Sequence, residues 1–374
     1  MTMSRLGAVV VLAAGAGTRM KSRVPKVLHP ICGASMLDHV LSAARELRPA
    51  ELIVVVGHRR REVLAHLAAH APDTRAVIQH RQGGTGHAVR IAVETAGLGQ
   101  GTVVVTYGDS PLLRGQTLAE LAREHAAQQA AVTALTTHLP DPTGYGRILR
   151  DDRGAFLEIV EEADASPAQR AITEINSGVY AFDAALLADV VKRLPTDNAK
   201  GEEYLTDVVA ILRAEGHPVA SVLLPDSNEV RGVNDRVQLA EARRILNARI
   251  LDGWMRAGVT IIDPLTTLID VGVVLAEDVE IGPGSQLEGT TVVETGARVG
   301  PGCLLRDTTV GRGATVTHAV CVSAEISPGA VAGPFTYLPP GSRADDRVTG
   351  RPGTTAAKHG TAGRRPPSKG EQEA

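Results

Sequence analysis

Leu12-Ala-Ala-Gly-Ala-Gly-Thr-Arg-Met20, with Val24-Pro-Lys26 a few residues on, decides how this sequence is read. It follows Gly7-Ala-Val-Val-Val-Leu12, a continuous β-branched run that reads as a parallel strand buried on both faces. A glycine-rich turn at the end of such a strand lets the backbone come close to a phosphate chain and turn its N–H groups towards it. Arg19 and Lys26 then bring positive charge to the phosphates. The spacing is neither G-x-x-x-x-G-K-[ST] nor the dinucleotide fingerprint, whose ribose-binding acid is misplaced here. Glycines alone would mean only a tight strand-to-helix turn. The adjoining Thr-Arg-Met and Pro-Lys point to phosphate.

Outward from this turn, strand and helix signals alternate. Leu52–Val56 and Thr102–Thr106 repeat the buried-strand pattern, and Met36–Leu47, Arg61–Ala69, Gly86–Ala96 and Gln116–Gln129 carry helical periodicity. The alternation predicts a doubly wound, mostly parallel α/β sheet over residues 1–236. Ligands of such sheets sit at the carboxyl ends of the strands, which directs attention to the segments starting at Ala13, Gly57 and Tyr107. The chain has 374 residues, enough for two domains, and its 43% apolar content fills a core. Aromatics are only 2%, so that core is built from small and branched aliphatics. A formal net charge of -3 gives no reason to expect a nucleic-acid partner. Cys32, Cys303 and Cys321 form no metal-spaced or redox-spaced pair, which fits a reducing, cytoplasmic setting. No secretory layout is present at the N-terminus, and no apolar run approaches the ~20 residues of a membrane span.

Further motifs carry chemistry. Tyr107-Gly108-Asp109 ends a buried strand, and a carboxylate at that tip, beside a phosphate loop, is placed to hold Mg2+. The following Ser110-Pro111 also suits a turn or a helix cap. Gln79 and Gln82 flank a second glycine turn, Gly83-Gly84-Thr85. An amide side chain both gives and takes hydrogen bonds, which suits the edge of a uracil ring; surface-loop glutamines are the plainer alternative. His58, His80 and His87 lack metal-ligand spacing and read as loop and helix residues.

These residues stand in order with Asp141-Pro-Thr-Gly-Tyr-Gly-Arg-Ile148, Ile159-Val-Glu161, Glu174-Ile-Asn-Ser-Gly178, Glu203-Tyr-Leu-Thr-Asp207 and Gly232-Val-Asn-Asp-Arg236. Together they resemble the sugar nucleotidyltransferases and, among these, the bacterial N-acetylglucosamine-1-phosphate uridylyltransferases, as far as about Gly341. The resemblance implies a Rossmann-like nucleotidyltransferase domain with Mg2+ on Asp109 and Asn234, and Arg19, Lys26 and Asp109 as catalytic residues. It implies that Leu12, Ala14, Gly15, Gly17, Lys26, Gln79, Gln82, Gly84 and Thr85 bind the nucleotide. Of these, Gln79, Gln82, Gly84 and the backbone of Ala14 and Gly15 would meet the base. Tyr107, Gly146, Glu161, Asn176 and Tyr204 would hold the amino-sugar, Glu161 at its hydroxyls and Asn176 at the acetamido region. The family often has a basic residue two positions after the glutamate; Ala163 stands there. The implied reaction joins UTP and N-acetylglucosamine 1-phosphate to give the UDP-sugar and pyrophosphate. A phosphomonoester has a second pKa of about 6, so the attacking oxygen is already ionised near neutrality and needs no general base. Catalysis then rests on positioning and charge neutralisation.

Val237–Ala257 reads as one long connecting helix, with Leu239, Ala242, Ile245, Leu246, Ile250 and Trp254 along one side. After it, aliphatics recur every six residues at Leu275, Ile281, Leu287, Val293, Val299 and Leu305, then, after a one-residue slip, at Val310, Val316 and Val322. That period predicts a short left-handed parallel β-helix over residues 258–341, one small strand per face with a tight corner between faces. From residue 342 to 374 the composition is Gly, Pro, Thr, Lys and Arg without periodicity, which predicts a disordered tail. The family's long β-helix acetylates glucosamine 1-phosphate. Here the arginine expected after Gly-Pro-Phe-x-x-Leu falls on Pro339, and proline cannot bind phosphate as a guanidinium does. The family's later lysine, histidine and asparagine segments are absent as well, so no acetyltransferase activity is expected.

A full-length helix in the family trimerises, so a homo-oligomer through the β-helix is open to this chain, with the shorter helix free to have lost that interface. The expected partners are small molecules, an NTP and a sugar 1-phosphate. Freed from acetylation, the chain could activate another sugar or a cyclitol 1-phosphate with GTP, ATP or dTTP in specialised metabolism. A non-catalytic nucleotide-sugar-binding regulator is a further alternative, disfavoured by the intact Lys26, Asp109 and Asn234. A scaffold built on the β-helix is disfavoured because most motifs lie elsewhere.

Overall fold

The computed structural model describes residues 6–349. They form two compact units, one ending at Leu246 and one starting at Asn247. In the first unit nine strands make one mixed sheet. In chain order they are β1 (Leu6–Ala13), β2 (Glu51–Val56), β3 (Arg75–Ile78), β4 (Thr102–Tyr107), β5 (Val132–His138), β6 (Arg147–Arg150), β7 (Phe156–Val160), β8 (Glu174–Asp183) and β9 (Val219–Leu223). The spatial order is β9-β5-β8-β4-β1-β2-β3, with β6 and β7 attached beside β8. β1 runs parallel to β2 and β4; within that order β8 alone breaks the run by pairing antiparallel with β4 and β5, and β6 and β7 form an antiparallel pair beside it. The doubly wound, mostly parallel sheet is therefore present as expected.

The reason for the continuous Val run in β1 is visible in its neighbours. Val10 and Leu12 enter the core on one face, Val9, Val11 and Ala13 the core on the other, so both sides of the strand must be apolar. Helices α1 (Met36–Glu46), α2 (Arg60–His70) and α4 (Gly115–Gln128) cover one face, and α3 (Thr85–Ala96) covers the other. α1 begins at a capping box in which Ser35 and Asp38 satisfy each other's backbone N–H groups. The register sets Leu12 beside Tyr107, Ala13 beside Val56 and Val56 beside Ile78. Backbone bonds carry the alignment past the strand ends: Gly108 N–H to Leu12 O (2.9 Å), His58 N–H to Ala14 O (3.1 Å) and Gln79 N–H to Val56 O (2.8 Å). The tips of four strands thus meet at one edge.

The long helix is found at Arg236–Arg256. Leu239 and Ala242 pack in the first unit, and Leu251, with Ile250 and Trp254, packs in the core of the second. The second unit is a left-handed parallel β-helix of three stacked sheets. Ile281, Leu287, Val293, Val299, Leu305, Val310 and Val316 all point inward, with at most 1% exposure. Two expectations need correction. The next inward residue is Cys321, fully buried, and not Val322. A second one-residue shortening of the corner shifts the register, and in a strand a one-residue shift turns a side chain to the other face. The β-helix also continues past Gly341: Arg343–Ala344 and Arg347–Val348 pair with Glu325–Ile326 and Val331–Ala332. Ala344, fully buried, extends the interior column there. The rest of the expected disordered tail, residues 350–374, lies outside the described residues. No helix among the described residues is long and apolar enough to cross a membrane.

Candidate active site

At the edge where the strand tips meet lies a cavity of about 280 Å3. Of the residues singled out in the sequence, Leu12, Ala14, Gly15, Lys26, Gln79, Gln82, Gly84, Thr85, Tyr107 and Asp109 line it. Lys26 reaches its place through the glycine loop. Gly17 has φ 60°, a left-handed conformation, and a Cβ there would lie 2.6 Å from Cβ of Lys26, so only glycine lets the loop fold over that side chain. The Lys26 ammonium forms an ion pair with Oδ2 of Asp109 and donates to Oδ1 of Asn234 at 3.1 Å. Asn234 arrives from a distant part of the chain because Val233 N–H bonds the Asp109 carbonyl at 2.9 Å. Two oxygens, one of them anionic, therefore bracket a single cation. Arg19 follows in the same loop but is exposed and is not part of the cavity wall.

The second glycine turn is stitched to the segment Glu202–Leu205. Glu203 N–H bonds Gly83 O and Gly86 N–H bonds Glu203 O, both at 2.8 Å. At Gly84, φ is 107° and a Cβ would strike the Glu203 carbonyl oxygen. Arg90 on α3 holds the Glu203 carboxylate with two bonds, at 2.8 and 3.0 Å. Gln82 Nε2 donates to Ala14 O at 2.8 Å, which joins this turn to the first glycine loop.

Tyr107 leads from the cavity towards the remaining candidates. Burial raises its phenol above the ordinary range, and the carboxylates of Glu161 and Asp109 add to the shift. Glu161 accepts from Thr206 Oγ1 at 3.2 Å, and burial raises its carboxyl as well. Asn176 N–H bonds Gly146 O at 2.8 Å, and its Oδ1 accepts from Gly178 N–H at 3.1 Å. Tyr204 is 6% exposed. Burial, with Asp164, Glu161 and Glu202, pushes its phenol up to about 12, yet no acceptor meets the hydroxyl in hydrogen-bonding geometry.

Three further residues, Arg147, Glu162 and His87, hold these candidates from behind the cavity wall. Arg147 is 1% exposed. It bonds the carbonyl of Tyr145, donates to that of Arg170 at 3.2 Å and pairs with Glu162 at 2.7 Å. A single buried guanidinium thus holds the neighbours of both Gly146 and Glu161. Glu162, which sequence alone would leave as one of two exposed turn acids, is that cation's partner. His87 is a helix residue, as expected, but it contacts Gln79. Its place inside the motif Gln79–His87 was the available signal.

Comparison with known proteins places this geometry in context. The family model described as "MobA-like NTP transferase domain" matches residues 9–178. The bifunctional protein GlmU of Streptomyces avermitilis is 56% identical over 345 residues, covering 92% of this chain and 72% of the relative. The same protein of Streptomyces coelicolor shows the same identity and coverage. That of Thermobifida fusca is 55% identical over 332 residues, 88% of this chain and 69% of the relative. With its nucleotidyltransferase sheet, its strand-tip cavity and this likeness along nearly its whole length, the chain belongs to the GlmU family and is a sugar-1-phosphate nucleotidyltransferase.

Proposed function

We propose that the chain transfers a uridylyl group from UTP to N-acetylglucosamine 1-phosphate, releasing pyrophosphate, with Mg2+ as cofactor and without acetyl transfer. The observation that carries this is the meeting of Lys26, Asp109 and Asn234 at a cavity whose wall also bears Gln79, Gln82 and Gly84. Asp109 and Asn234 suit the metal, because their oxygens already converge on a cation and Mg2+ prefers hard oxygen donors. Bound there, Mg2+ supplies divalent charge against the phosphates of both substrates.

The chain's own residues do the rest. The amides of the glycine loop and Lys26 take the triphosphate, and Lys26, once released from Asp109, neutralises charge on the departing pyrophosphate. Arg19, exposed at the loop, adds a second positive charge. Gln79, Gln82 and Gly84 receive the base. On the sugar side Glu161 accepts from hydroxyls, and Asn176, whose Oδ1 is engaged, has its Nδ2 for the acetamido oxygen. The Tyr204 hydroxyl, which has the Asp164 carboxylate nearby but not in good hydrogen-bonding geometry, gains a well-aligned bond when the sugar binds. A sugar-phosphate oxygen, ionised near neutrality, attacks the α-phosphorus in line, and no side chain needs to remove a proton.

Loss of acetyl transfer rests on Pro339 in place of the family's arginine. Self-association is supported by the outer face of one β-helix sheet, where Leu268, Leu304, Val320 and Tyr337 share a ladder with Gln286. The three free cysteines fit a cytoplasmic enzyme. Pyrophosphate release with four NTPs against sugar and cyclitol 1-phosphates tests the reading. UTP with N-acetylglucosamine 1-phosphate is expected to be the best pair. A clear preference for another pair transfers the function to that substrate, and no release with any pair points to a regulator.

A further inference from the structure

Gln79 faces the cavity but is only 5% exposed, so the protein around it decides which atom of its amide a ligand meets. The amide nitrogen lies 3.2 Å from the Gly84 carbonyl oxygen and 2.9 Å from Nδ1 of His87. A carbonyl can only accept, so the nitrogen end, not the oxygen, must face Gly84. One N–H is used there. The other is directed at His87, whose Nδ1 accepts it, and the imidazole proton therefore resides on Nε2. Both donors of the amide are spent inside the protein, and no described residue donates to Oε1. The imidazole is held in turn: a Cβ on Gly83 would lie 3.0 Å from its Cγ, and the ring is 8% exposed. Burial lowers the His87 pKa, opposed by Glu203 and Glu94 and assisted by Arg90 and Arg81, so the ring stays neutral and able to accept.

We propose that His87 fixes the amide of Gln79 so that the cavity presents a hydrogen-bond acceptor, selecting bases that carry an imino N–H. Uracil, thymine and guanine have that proton. Cytosine and adenine present a lone pair at the corresponding ring nitrogen and meet acceptor against acceptor, the mismatch that discriminates most strongly in a closed site. His87 is on this account a positioning residue, and the inference rests on Gln79 being a base contact.

The test compares wild type with His87→Phe, which fills the space but cannot accept, and His87→Asn, whose Oδ1 falls near the former Nδ1. His87→Ala serves if the phenylalanine variant does not fold. Nucleotide binding is measured by calorimetry and turnover by kcat/KM for UTP, CTP, GTP and ATP, with thermal midpoints as the control for folding. Wild type is expected to favour UTP over CTP by at least about a hundredfold. The ratio should fall by about tenfold or more in His87→Phe or His87→Ala and stay within about threefold of wild type in His87→Asn. An unchanged UTP-to-CTP ratio in the variants that cannot accept overturns the proposal, and a uniform loss with all four nucleotides assigns His87 a structural role only. Equal use of UTP and CTP by wild type overturns the base contact itself. A wild-type preference for GTP supports the acceptor role while moving the substrate.

Discussion

The ammonium of Lys26, held between a carboxylate of β4's tip and an amide oxygen from Asn234, shows how much of the site is set by single side chains. Asp109→Ala removes the only anion of that trio. Lys26 keeps Asn234 and borders an open cavity, so little stability should be lost. Turnover, by contrast, should fall by about 10^2–10^3 or more, since on the proposed role the anion that holds the divalent cation against the transferring phosphates is gone. Steady-state pyrophosphate release together with a urea titration separates the two, and near-normal turnover would remove Asp109 from the chemistry. Arg147 presents the opposite case, a buried cation with a structural task. Arg147→Met strands Glu162 and frees the carbonyls of Tyr145 and Arg170. A loss of about 3 kcal/mol is expected in urea unfolding, the low end for a broken buried pair because the Glu162 side chain is one-third exposed. In whatever folds, KM should rise for the sugar phosphate more than for the nucleotide.

The contrast between these residues explains what the sequence could show. Asp109 and Lys26 lie in short local motifs at strand ends, where a turn pattern predicts their position. Arg147 gathers partners from its own segment and from two others, at Glu162 and Arg170, and nothing local distinguishes it from a surface arginine. Arg19 was legible as a cation near the loop, but not its exposure outside the cavity wall, because side-chain direction in a three-residue turn has no periodic signature.

At the scale of elements, the short helix Asp207–Ala214 has an acid at its first position. Burial, with Glu161, Asp164 and Glu158 adding repulsion, raises that carboxyl from 3.8 to about 6. Below the lower value the group is protonated in folded and unfolded chains alike and contributes nothing. Between 3.8 and about 6 the folded chain keeps a proton that the unfolded chain has lost, so stability falls as pH rises through that window and stays lower above it. Asp207→Asn should therefore unfold at higher urea than wild type at neutral pH and show a flatter decline between the two pKa values. Parallel urea titrations across that range check this, and superimposable pH profiles for the two proteins would contradict it. The β-helix strands show the limit of element-level reading. Most place one residue inside, so the period was clear while Leu, Ile and Val filled it. It was lost where Cys321 and Ala344 took over, since cysteine and alanine give a weak apolar signal.

For the molecule as a whole, two compact units with separate cores predict separable responses to ligand. The residues proposed to contact UTP all lie in the first unit. Scanning calorimetry should show a transition that rises with UTP, by about 2.7 kcal/mol of stabilisation at a hundred times Kd. A second transition, that of the β-helix, should hold its temperature. One transition rising as a whole would show that the units unfold together. Both fold classes were legible because each follows from a period, continuous apolar runs between helices in one unit and a six-residue repeat in the other. The division at Leu246 and Asn247 was not, because it falls within a continuous helix, where composition does not change.

The central claim is that Asp109 and Asn234 form a cation site which Lys26 fills when no metal is bound. Its most direct test is a crystal structure with Mn2+ and a non-hydrolysable UTP analogue, read by anomalous scattering. A metal peak is expected in contact with Asp109 and Asn234, with the Lys26 ammonium displaced onto the phosphates. A metal bound elsewhere, or Lys26 still paired with Asp109 in the loaded enzyme, would contradict it.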